Sequence, residues 1–226
     1  MEVLGEIPIA LTVEDILAYM RAGKRSSQLS DIVQETLELV EPLAWPKALY
    51  DIAYVERANE DTVTLNGVRF LSRVMRINFD AIERVFPFVA TCGTEVDSIP
   101  SPREDPLRAY CLDVTKELLM RSARQYLKER IDTRYAPGHL THMAPGSLKD
   151  WPLTEQRPLF DLLGDVKSLI GVTLADSCLM IPAKSTSGIF FPTEVEYENC
   201  QLCARTQCPR RRAQYDERLH REYGLG

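Results

Sequence analysis

Long apolar runs are missing from this chain of 226 residues. No stretch approaches the roughly 20 residues that a membrane-spanning helix needs. The opening MetGluValLeuGlyGluIlePro lacks a basic region ahead of an apolar one, so no signal peptide is read and a cytoplasmic location is expected. An excess of positive charge is missing too. The net charge of −6 argues against a nucleic-acid binder, because phosphate binding normally needs a basic face. The one local exception is the ArgArgArg run at 210–212. The dense, even cysteine spacing of a secreted disulfide scaffold is also absent. Internal repeats, low-complexity tracts and clear linkers are lacking. The chain therefore reads as one domain over residues 1–195 with a Cys-rich appendage over 196–226.

What is present suits a folded core. Apolar residues make up 45% of the chain and charged residues 27%, ordinary values for a globular protein that buries a sizeable interior. Thr12-Val-Glu-Asp15 has the form of a capping box before an apolar-periodic helix that stops at Gly23. A second helix starts near Ser30, with Ile32, Val33, Leu37 and Val40 on one stripe. Leu49 to Val55 reads as a strand. Asn66-Gly67 between Val63–Leu65 and Val68–Phe70 predicts a hairpin, since that dipeptide accepts the positive φ angles of a type I′ turn. Short helices are expected over Ser72–Ile77 and Asp80–Val85, and a buried strand over Phe86–Thr91.

The longest helix is expected from Leu107 to Ile131, with Leu107, Cys111, Val114, Leu118 and Tyr126 facing inward. Thr133 to Asp150 reads as a loop rich in Pro, Gly and His. Trp151-Pro152 opens another helix, and two strands follow, Ser177–Ile181 and Ser187–Phe191. Separate helices and hairpins together predict an α+β fold, a curved single domain with helices around a twisted antiparallel sheet.

Several motifs recur in the order of a known family. Arg134-Tyr-Ala-Pro-Gly138-His139, Asp150-Trp-Pro152, Ile170-Gly171-Val-Thr-Leu and Pro182-x-x-Ser185-x-Ser187-Gly188-Ile-Phe-Phe resemble the reactivation (activation) domain of cobalamin-dependent methionine synthase. That family carries Arg-x-x-x-Gly-Tyr, then Pro-Asp, then Pro-x-x-Ser-x-Ser-Gly-x-x-Phe. The AsnGlyValArgPhe hairpin and PheProPheValAlaThrCysGly are similar to its stand-alone, single-domain members. The resemblance covers Leu49 to the C-terminus. It implies a domain that binds S-adenosylmethionine and docks on a corrinoid-carrying protein or domain. A reductant such as flavodoxin or ferredoxin supplies one electron to Co(II), and Co(I) then takes the methyl group.

On that resemblance, Arg134, Pro137, Gly138 and His139 are candidate methyl-donor contacts, with Ser185, Ser187 and Gly188 downstream. The chemistry of the first group is sensible in its own right. A guanidinium grips a carboxylate bidentately, and Pro-Gly stiffens a bend while letting backbone approach a ligand. As an isolated motif, Arg134 would read as a helix-terminal surface residue. The serines and Gly188 read equally well as a tight strand crossing. Two departures stand out: His139 replaces the family Tyr, and LeuThrHisMetAlaProGlySerLeuLys is inserted before Asp150. They leave room for a different anionic ligand. Glu117, Gln125 and Glu129 all compete for the acidic helix position of the family. Lys184 reads as a corrinoid contact or a solvated side chain, His142 as a plain loop residue, and Trp151 as a core anchor.

Cys200-x2-Cys203-x4-Cys208 is the remaining signal. Three thiolates in one short loop suit a soft metal, zinc or an iron–sulfur cluster. Both want a fourth ligand, for which Cys178, Cys92, His220, a partner's residue or an exogenous ligand at an open iron are the options. An iron–sulfur cluster would also supply an electron, and Arg205 with Arg210–Arg212 would stabilise its negative charge. The functional expectation is a reactivation factor acting in trans on a corrinoid methyltransferase, with S-adenosylmethionine as methyl donor. The alternative is a non-catalytic corrinoid-protein binding or electron-delivery module that uses the Cys loop and no S-adenosylmethionine.

Overall fold

The computed structural model describes residues 1–22, 27–59, 61–194, 198–208 and 211–225. The strands, in chain order, are β1 (Glu2–Leu4), β2 (Lys47–Tyr50), β3 (Ala53–Asn59), β4 (Thr62–Leu65), β5 (Val68–Leu71), β6 (Arg84–Thr91), β7 (Leu140–Met143), β8 (Thr173–Leu174), β9 (Met180–Ile181) and β10 (Ser185–Pro192). The helices are α1 (Val13–Tyr19), α2 (Ser27–Val40), α3 (Arg73–Asn78), α4 (Thr94–Asp97), α5 (Pro106–Tyr135), α6 (Gln156–Leu163), α7 (Val166–Ile170), α8 (Asn199–Leu202) and α9 (Glu217–Glu222).

Eight strands form one antiparallel sheet centred on β6 and β10. Strand β6 pairs with β10 along one edge, from Ser185↔Thr91 to Phe190↔Phe86. Its other edge takes β2 at Phe88–Thr91 and β3 at Arg84–Val85. The sheet extends through β1 on β2, through the β3–β4–β5 meander, and through β7 on β10.

Both faces of the sheet are covered, which is why β6 is a continuous apolar run rather than an alternating one. Tyr50, Phe86, Phe88, Ala90 and Phe190 pack against Ala123, Leu127 and Ile131 of α5. Phe88 and Phe190 stack with centroids 4.3 Å apart. On the opposite face Leu49, Val89, Ile189 and Phe191 meet Phe79, Leu159, Leu163, Val166 and Ile170. Leu202 and Tyr223 from the Cys-rich segment join this second cluster, and the Tyr223 hydroxyl donates to Asn78 Oδ1 at 2.8 Å. Trp151 is buried there, edge-on to Phe70.

The local signals account for most elements. Thr12 caps α1 in a reciprocal capping box with Asp15. The helix stops at Tyr19, with Met20 as its C-cap, short of the expected Gly23, which itself lies outside the described residues. The carboxylate of Asp105 accepts from the amides of Leu107 and Arg108, and Pro106 opens the helix. Asn66 and Gly67 take φ of 44° and 80°, as a type I′ turn requires.

Other expectations fail for physical reasons. The single strand over Leu49–Val55 is two strands, because the Asp51 side chain accepts from the Ile52 amide at 2.9 Å and breaks the ladder. No helix forms over Asp80–Val85, where β6 already begins at Arg84. Leu107 is 41% exposed, at the solvent end of α5 rather than on its inner face. The Ser177–Ile181 strand shrinks to Met180–Ile181, paired with β8.

Candidate functional site

Helix α5 carries Arg134 in its last turn and stops when Ala136 takes a left-handed conformation. The Arg134 guanidinium is about half exposed and ion-pairs with Glu2 of β1. Glu2 also accepts from Arg130 Nε at 3.1 Å and from the Tyr50 hydroxyl at 2.8 Å. Burial works to raise the Glu2 carboxyl. Hydrogen bonds from Tyr50 and Arg130 and the charges of both arginines outweigh it and hold the group below its ordinary range. Burial, with Tyr135 and Glu2 as neighbours, pushes the Tyr50 phenol far up, so it remains a donor. Arg134, Glu2, Tyr50 and Tyr135 line a hollow of about 320 Å³. A cation and an anion are therefore fixed side by side at the mouth of a small cavity.

The bend that follows is open. Pro137 is half-buried, and Gly138 is exposed with φ +87°. A Cβ added to Gly138 would meet no atom within 4 Å. His139 is exposed and lines a second hollow of about 320 Å³ with Gln125 and Lys128 of α5. The inserted residues do not make a longer loop. They supply β7, whose Leu140–Met143 pair with Ile189–Pro192 of β10. Asp150 then accepts from the Ser72 hydroxyl at 2.5 Å and the Val74 amide at 2.9 Å, tying the segment to the start of α3.

The downstream trio sits deeper. Ser185 Oγ lies 2.9 Å from Thr91 Oγ1 and 2.8 Å from the Pro182 carbonyl. Ser187 is buried and bonds Gln156 Oε1 at 2.7 Å. Gly188 is where β10 crosses β7 and β6 most closely. A Cβ there would stand 2.1 Å from the Met143 carbonyl oxygen and 3.2 Å from Phe88 Cε1. These contacts are those of a tight strand crossing. Lys184 pairs with Asp113 at 2.9 Å and Glu117 at 3.5 Å, and Glu117 also pairs with Arg121 at 3.0 Å. Gln125 and Glu129 bond each other at 2.9 Å.

The Cys loop departs from expectation. Cys200, Cys203 and Cys208 are half-buried free thiols on the wall of a cleft of about 860 Å³. Among the described residues, no group of three or more His, Cys, Asp or Glu side chains is arranged to hold a metal ion. The reason is visible in the loop. The Arg211 guanidinium donates to the carbonyls of Cys200, Cys203 and Ala213 at 3.0, 3.1 and 3.2 Å, and to that of Arg205. The loop is wound around an organic cation rather than around an ion. The fourth-ligand options lie elsewhere. Cys92 and Cys178 are buried in the core, burial pushing the Cys92 thiol up to about 12, and His220 rests on Tyr215. Among the described residues, the three thiols are not grouped as ligands for zinc or an iron–sulfur cluster.

Arg124, which the sequence did not single out, and His142, which was expected to be a plain loop residue, stand at the junction of this cleft and the His139 hollow. His142 is on β7, against Phe88 and Phe190. Burial, then the charges of Arg124, Arg212 and Lys128, depress its imidazole to about 3. The spacing of Arg121, Arg124 and Lys128 along one face of α5 was the available signal.

Comparison with known proteins adds the fold. No family model matches the chain, and no curated protein is similar to it in sequence. A crystal structure of the MetH reactivation domain bound to AdoHcy superposes with a TM-score of 0.61 at 16% identity, covering 88% of this chain and 81% of that chain. The chain thus has the reactivation-domain fold that its motifs led one to expect.

Proposed function

We propose that this protein reactivates a corrinoid methyltransferase in trans, binding S-adenosylmethionine at the Arg134 end of α5. The observation that carries the reading is the shared fold with a reactivation domain that binds AdoHcy, over 88% of this chain. The Arg134–Glu2 pair supports it chemically. The amino-acid end of S-adenosylmethionine is a zwitterion, so Arg134 would take its carboxylate and Glu2 its ammonium. Pro137, Gly138 and His139 would form the adjoining wall, which stays open to solvent. The corrinoid is a substrate carried by the partner protein, and an outside reductant such as flavodoxin or ferredoxin supplies the electron. The methyl leaves sulfur for cobalt without a general base, so the protein's task is to place the sulfonium methyl and cobalt in line and close.

Titration calorimetry with S-adenosylmethionine tests the binding step. Saturable binding that Arg134→Ala abolishes supports the proposal. Absence of binding by the wild-type protein overturns it and favours the non-catalytic binding module. Mixing the protein with a corrinoid protein, reductant and S-adenosylmethionine should convert the cobalt absorption spectrum to that of the methylated form.

A further inference from the structure

The cleft beside the Cys loop carries a charge the rest of the molecule does not. In a chain of net charge −6, its walls hold six arginines against two carboxylates, Asp113 and Glu117. Both carboxylates are already engaged, Asp113 by Lys184 and Glu117 by Lys184 and Arg121. Arg212 is paired with Glu198 at 2.9 Å on the exposed edge. Arg211 is spent on backbone carbonyls. Arg124 is left facing the cavity, and among the described residues its hydrogen-bond partner is a neutral imidazole, His142 Nε2 at 3.4 Å. Burial, then the charges of Arg212 and Arg121, push its guanidinium below the usual range, opposed in part by Glu117 and Glu198. Arg205 makes no ion pair among the described residues and lines the same cleft.

We propose that this cleft is a binding site for a small anion bearing two or more phosphate groups, gripped by Arg124 on the inner wall and by Arg205 and Arg212 at the rim. A half-buried guanidinium facing other guanidiniums costs free energy until an anion joins them. One carboxylate is saturated by two arginine forks, whereas a diphosphate presents enough oxygens and charge for three. A free small molecule is favoured over an acidic protein surface because Arg124 is withdrawn behind the rim. At about 860 Å³ the cleft matches a ligand of nucleotide size. The site is distinct from the Arg134 hollow and does not depend on methyl-donor binding.

Calorimetry on the full chain with inorganic pyrophosphate, and separately with ATP, tests this at low salt. The expected result is saturable binding that weakens steeply with added salt. It should fall about tenfold or more in Arg124→Gln, the scale of one lost charge-assisted contact. Arg212→Gln, at the exposed rim, should fall in the same direction and guards against a folding defect in the first variant. Arg103→Gln, in a distant exposed loop, should bind like the wild type. Binding of ATP but not pyrophosphate would still support the site and assign it to a nucleotide. Citrate binding as tightly as pyrophosphate, equal losses in Arg103→Gln and Arg124→Gln, or no saturation up to about 5 mM would each overturn the proposal. None of these results bears on S-adenosylmethionine, which the Arg134 experiment reads separately.

Discussion

His142 accepts a hydrogen bond on Nε2 from the Arg124 guanidinium at 3.4 Å, so its proton resides on Nδ1 and the ring faces a cation while neutral. With Phe88 and Phe190 beside it, the imidazole pays a desolvation cost for protonation and a Coulomb cost as well. Its value falls to about 3, against about 6.5 in an unfolded chain. The unfolded state therefore binds the extra proton first. This residue's contribution to stability is complete above about pH 6.5 and is lost as pH falls toward 3. The slope it adds is at most about 1.4 kcal/mol per pH unit. In urea melts between about pH 4 and 7, wild-type stability should fall relative to that of His142→Phe as the pH is lowered, because the variant lacks this slope. Parallel curves would contradict it.

Arg134 should matter little to folding. Its ion pair with Glu2 is half exposed, and exposed pairs contribute about 1 kcal/mol or less. Arg134→Ala is expected to stay within about that margin in urea melts while losing S-adenosylmethionine. A large loss of stability would recast Arg134 as a structural residue and make its binding phenotype uninformative.

Gly188 and Gly138 should separate scaffold from site. An alanine Cβ at 188 would press on the Met143 carbonyl at 2.1 Å, a backbone atom held in the β7–β10 ladder. Gly188→Ala should cost about 3 kcal/mol or fail to fold. At Gly138 the space is empty and only the φ of +87° is unfavourable. Gly138→Ala should cost about 1–2 kcal/mol. Thermal and urea denaturation give both numbers, and the reverse order would refute the account of β10.

Much of the scaffold was legible because its signals are local. The Thr12 capping box, the Asn66-Gly67 turn and the apolar run of β6 each depend on a few neighbouring residues. The motif order around Arg134 and Ser185 led to the fold itself. What could not be read depends on long-range partners. The inserted segment becomes β7 because β10 offers it a free edge, and no periodicity within Leu140–Met143 announces that. Arg124 and His142 meet across 18 positions of sequence. Cys200, Cys203 and Cys208 have the spacing of metal ligands, but spacing does not say which cation the loop encloses. Arg211 sits outside the cysteine motif, and its guanidinium holds the loop's carbonyls.

If the Arg211 fork organises the segment, its carbonyl partners at Cys200, Cys203, Arg205 and Ala213 lose a common donor when it is removed. Lysine keeps the charge but offers a single ammonium in place of the planar fork, so Arg211→Lys is not conservative here. Hydrogen exchange across Cys200–Cys208 should rise in Arg211→Lys, with the thermal midpoint lowered by a few degrees, on the order of 1 kcal/mol for a chain of this size. Exhaustive chelation of the wild-type protein should leave both readouts unchanged. In a segment held by bound metal, chelator would reproduce the loosened state and Arg211→Lys would have little effect. That pattern would return the three thiols to the role of ligands.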